Sequence, residues 1–162
     1  MRAGRVRGDA VSVESRLVEL GITLPEPPRP VASYVTAVQC GNVLYLSGHG
    51  PLRPDGTLVT GVVGRDLDVS EARAAARLTG LGLLATMRDQ LGSLDRVVRV
   101  VKLFGMVNAT PDFAEHPAVI NGCSDLLVDV FGDAGVHARS AIGMGSLPGG
   151  IPVEIEAVAE VM

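Results

Sequence analysis

The stretch His137–Met162, HARSAIGMGSLPGGIPVEIEAVAEVM, decides the fold. It reads as two short strands around a Gly/Pro turn. In a β-strand, residues two apart share a face. Glu154 and Glu156 therefore point one way, and Val153, Ile155, Ala157 and Ala159 the other. One face of this strand belongs to a core, and the other carries carboxylates. Arg139 opens the preceding strand. Its planar guanidinium suits either a two-pronged grip on a ligand carboxylate or an ordinary ion pair. Glu154 is either a solvent-facing edge residue or a group that orients or deprotonates a water.

Upstream, the segment 96–108, RVVRVVKLFGMVN, is nearly continuously apolar, which predicts a strand buried on both faces. Tyr34–Gln39 and Val43–Ser47 flank the turn pair Gly41-Asn42 and predict a hairpin. Asp55-Gly56 supplies a second turn, with a third strand after it. Asp68-Val69-Ser70-Glu71 has the form of a capping box, opening a helix that ends near Leu91 before Gly92. Gly80 and Gly82 weaken that helix, so something packs closely against it. A second helical region spans TPDFAEHPAVINGCSDLLVDVFG, with Pro111 suited to a first turn, Pro117 breaking or restarting it, and Gly132 ending it.

Ahead of all this, residues 1–12 read as a flexible arm, followed by a short helix capped by Ser12 or Ser15 and ended by Gly21. Pro25–Pro30, PEPPRP, is a stiff connector. The division expected is an arm, helix and connector over 1–30 and one domain over 31–162. The order α-ββ(β)-α-β-α-ββ predicts an α+β layer, with two main helices on one face of a mixed sheet. Two helices cover one face only, so self-association through the bare face is expected.

The 162 residues suit one domain, and 47% hydrophobic with 20% charged residues suits a globular core. A net charge of −4 argues against phosphate-backbone binding as the main task. Lys102 is the only lysine, so Schiff-base chemistry has one candidate. Cys40 and Cys123 lack metal-ligand spacing and read as free thiols. His49, His116 and His137 fall in separate loops without zinc-ligand spacing, so no metal and no cofactor is expected. Ser47 and His49, two apart on a strand, do not form a nucleophile–base pair. Asn108 and Asn121 are amides for substrate, turn or cap. No secretory leader and no membrane span is seen, so a soluble cytoplasmic protein is expected.

The C-terminal ARS, LP and VEIEAVAEV resemble the signature of the RidA/YjgF family, the imine/enamine deaminases also called the endoribonuclease L-PSP family. SYVTAVQCGNVLYLSGHGP resembles that family's N-terminal hairpin, and VINGCSDLLVDVFGDAGVHARSA its second helix and following strand. The resemblance covers about Val31 to the C-terminus. It implies a chorismate-mutase-like fold forming a homotrimer, with clefts between subunits. It implies that Arg139 holds a substrate carboxylate, that Glu154 serves the hydrolytic water, and that Tyr34, Ser47 and Asn121 line the same cleft. The chain departs from the pattern at Ala141, where many members carry Cys, and at His49, where Gln is frequent. The segment before Asn121 is also longer, which suggests a distinct subgroup. The expected activity is hydrolysis of small 2-imino or 2-enamino acids to 2-keto acids. The alternatives are a non-catalytic trimer that binds a small carboxylate metabolite, or a ribonuclease, which the charge disfavours.

Overall fold

The computed structural model describes residues 12–162, so the arm expected over 1–12 lies, except for Ser12, outside the described residues. The first helix, α1 (Val13–Glu19), is capped by Ser12, whose side chain accepts from Ser15 N–H at 3.0 Å. It docks on the domain. Leu17 and Leu24 enter the main core, and Glu14 Oε1 accepts from Leu94 N–H. The proline connector then runs across the long helix, with Pro28 beside Gly82.

The hairpin forms as β1 (Ala37–Cys40) and β2 (Val43–His49), closed by Gly41-Asn42. Gly41 sits at φ 60°, the positive value the first position of a tight hairpin turn requires. The strand expected after Asp55-Gly56 is reduced to one bridge between Leu52 and Leu58. Pro51 and Pro54 remove donors there, and Asp55 takes the Thr57 N–H into a side-chain turn at 2.9 Å.

The first long helix, α2 (Val69–Leu91), carries the full capping box between Asp68 and Glu71 and ends at Gly92 in the left-handed region. The strand β3 (Val97–Asn108) follows. The second helix, α3 (His116–Phe131), starts only at Pro117's turn, because a proline fits a first turn but not an interior. It closes on α2 through glycine. A Cβ at Gly122 would collide with the Arg73 carbonyl, and one at Gly80 with Leu126 and Cys123. The chain ends with β4 (Ala138–Met144) and β5 (Val153–Val161).

The sheet order is β1-β2-β5-β3-β4, with only the β3–β4 pair parallel. The two last strands are thus not neighbours: β3 lies between them. The helices cover one face, where Val153, Ile155, Ala157 and Ala159 meet α2 and α3 in the core. The other face is covered at one end, where Leu147 and Ile151 pack with Met106, and is otherwise open. Val38 is 54% exposed, Tyr45 51% and Ile142 42%.

The double burial expected of β3 is met in its second half, where Gly105, Met106, Val107 and Asn108 are all buried, and fails in its first half. Val100, Leu103 and Val107 are buried, whereas Val98 and Val101 stand open. Two bulges against β5, at 98–99 and 101–102, place two residues opposite one and turn successive pairs outward. Among the described residues no helix is long and apolar enough to cross a membrane.

Candidate functional site

The candidate residues fall into two groups on opposite faces of the sheet. The first is on the open face. β2 pairs with β5 as far as Leu46–Ala157 and resumes at His49–Ile155. Ser47 and Gly48 together oppose Glu156, a bulge that shifts the alternation by one. Gly48 consequently faces the Glu154 side chain, and a Cβ built on it falls on Glu154 Oε1. Burial, then the neighbouring Glu156, pushes the Glu154 carboxyl above its usual range. Ser47 Oγ donates to the Val35 carbonyl at 2.6 Å, tying down the segment that carries Tyr34. The Tyr34 side chain itself is exposed.

The same bulge turns His49 inward, so this residue is not in a loop. It ends β2, is 4% exposed, and bonds Thr86 Oγ1 of α2 at 2.8 Å and the Ser47 carbonyl at 2.7 Å. Burial holds its pKa below the ordinary histidine value.

The second group lies along the edge formed by β4 and α3. Arg139 pairs in register with Leu103 and shares the helix face with it. Its Nη1 donates to Asn121 Oδ1 at 2.8 Å and to Ser124 Oγ at 3.0 Å. Among the described residues no carboxylate lies within ion-pair distance of the guanidinium, so Arg139 and Glu154 are not an ion pair. His137 completes the group. Its Nε2 is 3.0 Å from Ser124 Oγ and its Nδ1 2.6 Å from the Gly135 carbonyl.

Within one chain Arg139 and Glu154 do not meet. Glu154 shares its row with Met106 and Ile142, and Arg139 shares its own with Leu103 and Ala157. Those rows face opposite sides, three residues and two strand spacings apart, or about 10 Å in each direction. The structure brings Arg139 to Asn121, and Ser47 to the segment of Tyr34, but leaves the two pairs apart. The sequence alone offers His137 only as a metal-ligand candidate and does not single out Ser124. The Asn121–Ser124 spacing of three, which puts both on one face of a helix, is the signal that marks Ser124.

The remaining candidates have structural positions. Asn108 is buried at the end of β3 and donates from Nδ2 to the Ile151 carbonyl at 3.2 Å. His116 opens α3 and meets Phe113 edge-on, with ring centres 5.1 Å apart. Burial pushes the Cys123 thiol up to about 12, while Cys40 is exposed. Among the described residues no cluster of histidine, cysteine and carboxylate side chains could hold a metal ion.

Comparison with known proteins gives one consistent family. The model of the YjgF/chorismate-mutase-like endoribonuclease family matches residues 14–150. Protein TCP17 of Trypanosoma cruzi is 45% identical over 149 residues, covering 91% of this chain and 93% of that protein. The 2-iminobutanoate/2-iminopropanoate deaminase of Mus musculus is 30% identical over 146 residues, covering 90% and 93%. Among solved structures, protein Atu1372 of Agrobacterium tumefaciens, of unknown function, is 46% identical. It superposes with a TM-score of 0.84 over 93% of this chain and 94% of that one.

Proposed function

Because this chain belongs to the YjgF/chorismate-mutase-like endoribonuclease family, we propose that it hydrolyses small 2-imino acids to 2-keto acids and ammonia, in clefts between the subunits of a homotrimer. The observation that carries this reading is Arg139. It is a half-buried guanidinium held by two neutral acceptors, with no protein carboxylate on it among the described residues. Such a group is poised for an anion.

A 2-imino acid is electrophilic at its C=N carbon. Arg139 binds the carboxylate next to that carbon and fixes its position. Glu154, its carboxyl kept partly out of water against Gly48, holds the attacking water and accepts a proton from it. The carbinolamine formed from the protonated imine takes that proton on nitrogen, the hydroxyl gives its own proton to the Glu154 carboxylate as the C–N bond breaks, and ammonia and the keto acid leave. Tyr34 and Ser47 line the Glu154 side, and Asn121 the Arg139 side.

Since these sides face away from each other in one chain, the Arg139 edge of one subunit meets the open face of the next. That docking also covers the exposed apolar residues of the sheet, Val38, Tyr45 and Ile142 among them. The net charge of −4 disfavours the ribonuclease reading attached to the family name.

The test is subunit complementation. Arg139→Ala and Glu154→Ala are each expected to abolish the accelerated keto-acid release from 2-iminopropanoate generated in situ. Co-refolding equal amounts should restore about a quarter of wild-type activity, because about one cleft in four takes its Arg139 side and its Glu154 side each from a chain in which that residue is intact. No recovery, with each variant folded and trimeric, would show that no cleft is shared. A wild-type protein that binds keto acids without accelerating release would be a carboxylate-binding module.

A further inference from the structure

Three hydrogen bonds in a row lead from the backbone to Arg139. A carbonyl oxygen only accepts, so the 2.6 Å contact with Gly135 puts a proton on His137 Nδ1. Neutral imidazole carries one proton, so Nε2 is then an acceptor, and the Ser124 hydroxyl donates to it across 3.0 Å. With its hydrogen spent there, Ser124 Oγ turns its lone pairs to Arg139 and receives Nη1–H at 3.0 Å. Asn121 Oδ1 takes the other Nη1 hydrogen at 2.8 Å. Burial, first of all, keeps His137 below its ordinary pKa and hence neutral near pH 7, with the nearby Arg139 acting the same way.

We propose that His137 is a positioning residue for Arg139: by fixing the Ser124 hydroxyl it locks both Nη1 hydrogens to α3 and presents the Nε–Nη2 edge to the substrate carboxylate. A guanidinium has two edges that match a carboxylate, one pairing Nη1 with Nη2 and one pairing Nε with Nη2. The first is closed here, because Nη1 is committed twice. The second has no acceptor among the described residues. Without His137, a helical serine turns its hydrogen to the carbonyl four residues back, here that of Ile120, and its hold on Nη1 loosens. The proposal rests on Arg139 being the carboxylate grip. What it adds is which edge of the fork is used and which residue sets it.

The experiment reads the Arg139 guanidinium by nitrogen-15 NMR alongside KM for 2-iminobutanoate. The samples are wild type, His137→Phe, His137→Gln and Ser124→Ala, with the Arg139 signals assigned by their loss in Arg139→Lys. In wild type, Nη1 and Nη2 should give separate resonances, reporting hindered rotation. In His137→Phe and Ser124→Ala they should merge, and KM should rise about tenfold with a smaller change in kcat. His137→Gln, which returns an acceptor near the Nε2 position, should recover both.

Separate resonances and an unaltered KM in His137→Phe would overturn the proposal. If that variant does not fold, Ser124→Ala reads the same bond and decides in the same way. If no sample hydrolyses imines, the deaminase reading fails, yet the resonances still report whether His137 holds Arg139: merging in His137→Phe supports it, and persistence refutes it.

Discussion

Gly48 lies directly beneath the carboxylate of Glu154, in the space where any other residue would carry its Cβ. The glycine is there because of the glutamate, and its φ is not in the positive region that would call for glycine on backbone grounds. Since the atom in the way ends a flexible side chain, Gly48→Ala should displace the Glu154 carboxylate and spare the fold. Imine hydrolysis is expected to fall by about 10²-fold or more, the range for loss of a general base. The melting temperature should move by only about 1–2 °C, roughly what about 0.5 kcal/mol gives in a chain of this length. Activity and thermal melts on one preparation check this, and full activity would separate Glu154 from the chemistry.

Replacing Arg139 by lysine keeps the charge but removes the planar fork. It also removes the donors that Asn121 and Ser124 hold. A charge-assisted hydrogen bond contributes about 1.5–3 kcal/mol. Arg139→Lys should therefore lower kcat/KM by roughly tenfold to a hundredfold, and Arg139→Ala by more. The chain should still fold, since the guanidinium lies at an edge outside the apolar core. Unchanged hydrolysis with a lowered melting temperature would make the arginine architectural.

The two cysteines should be dispensable for turnover. Cys123 is fully buried and its thiol, at about 12, carries no thiolate near neutrality. Cys40 is exposed on the edge strand, away from both halves of the site. A Cys40→Ser, Cys123→Ala double variant is expected to retain keto-acid release. Cys123→Ser should instead cost about 1–3 kcal/mol, because it buries a hydroxyl among apolar neighbours. Maleimide labelling of the native protein should modify Cys40 alone.

Acid sensitivity should follow His49. Its folded-state pKa lies below the ordinary 6.5, so between those two values the unfolded chain binds more protons than the folded one. The stability His49 confers is complete above about 6.5 and drains away as pH falls from there toward the depressed value. His137 acts with the same sign, being lowered by burial first. Glu154 acts with the opposite sign, in the range just above the ordinary 4.5. The melting temperature should drop between pH about 7.5 and about 5.5. His49→Gln should flatten that slope, and an undiminished slope in the variant would acquit the buried imidazole.

Most of the element list was legible from residue types alone. The Asp68–Glu71 capping box, the stop at Gly92, the turn at Gly41-Asn42 and the alternation of β5 are local devices, each working within a few residues of itself. Their physics is written into neighbouring side chains. The family followed from the same local patterns, because ARS and VEIEAVAEV keep their order and spacing along the chain.

Pairing across the sheet was not legible, since nothing near Gly149 records that β3 inserts between the last two strands. Nor was the bulge at Ser47-Gly48, which exists only because β5 runs beside it and which sends His49 inward and Gly48 under Glu154. The sequence by itself determined that one face of β5 is apolar and the other acidic, because alternation is a property of a single strand. Only the tertiary structure decided that Arg139 looks toward α3 while Glu154 looks away. That direction depends on which strand each residue is registered against, and register is a contact between segments far apart in the chain.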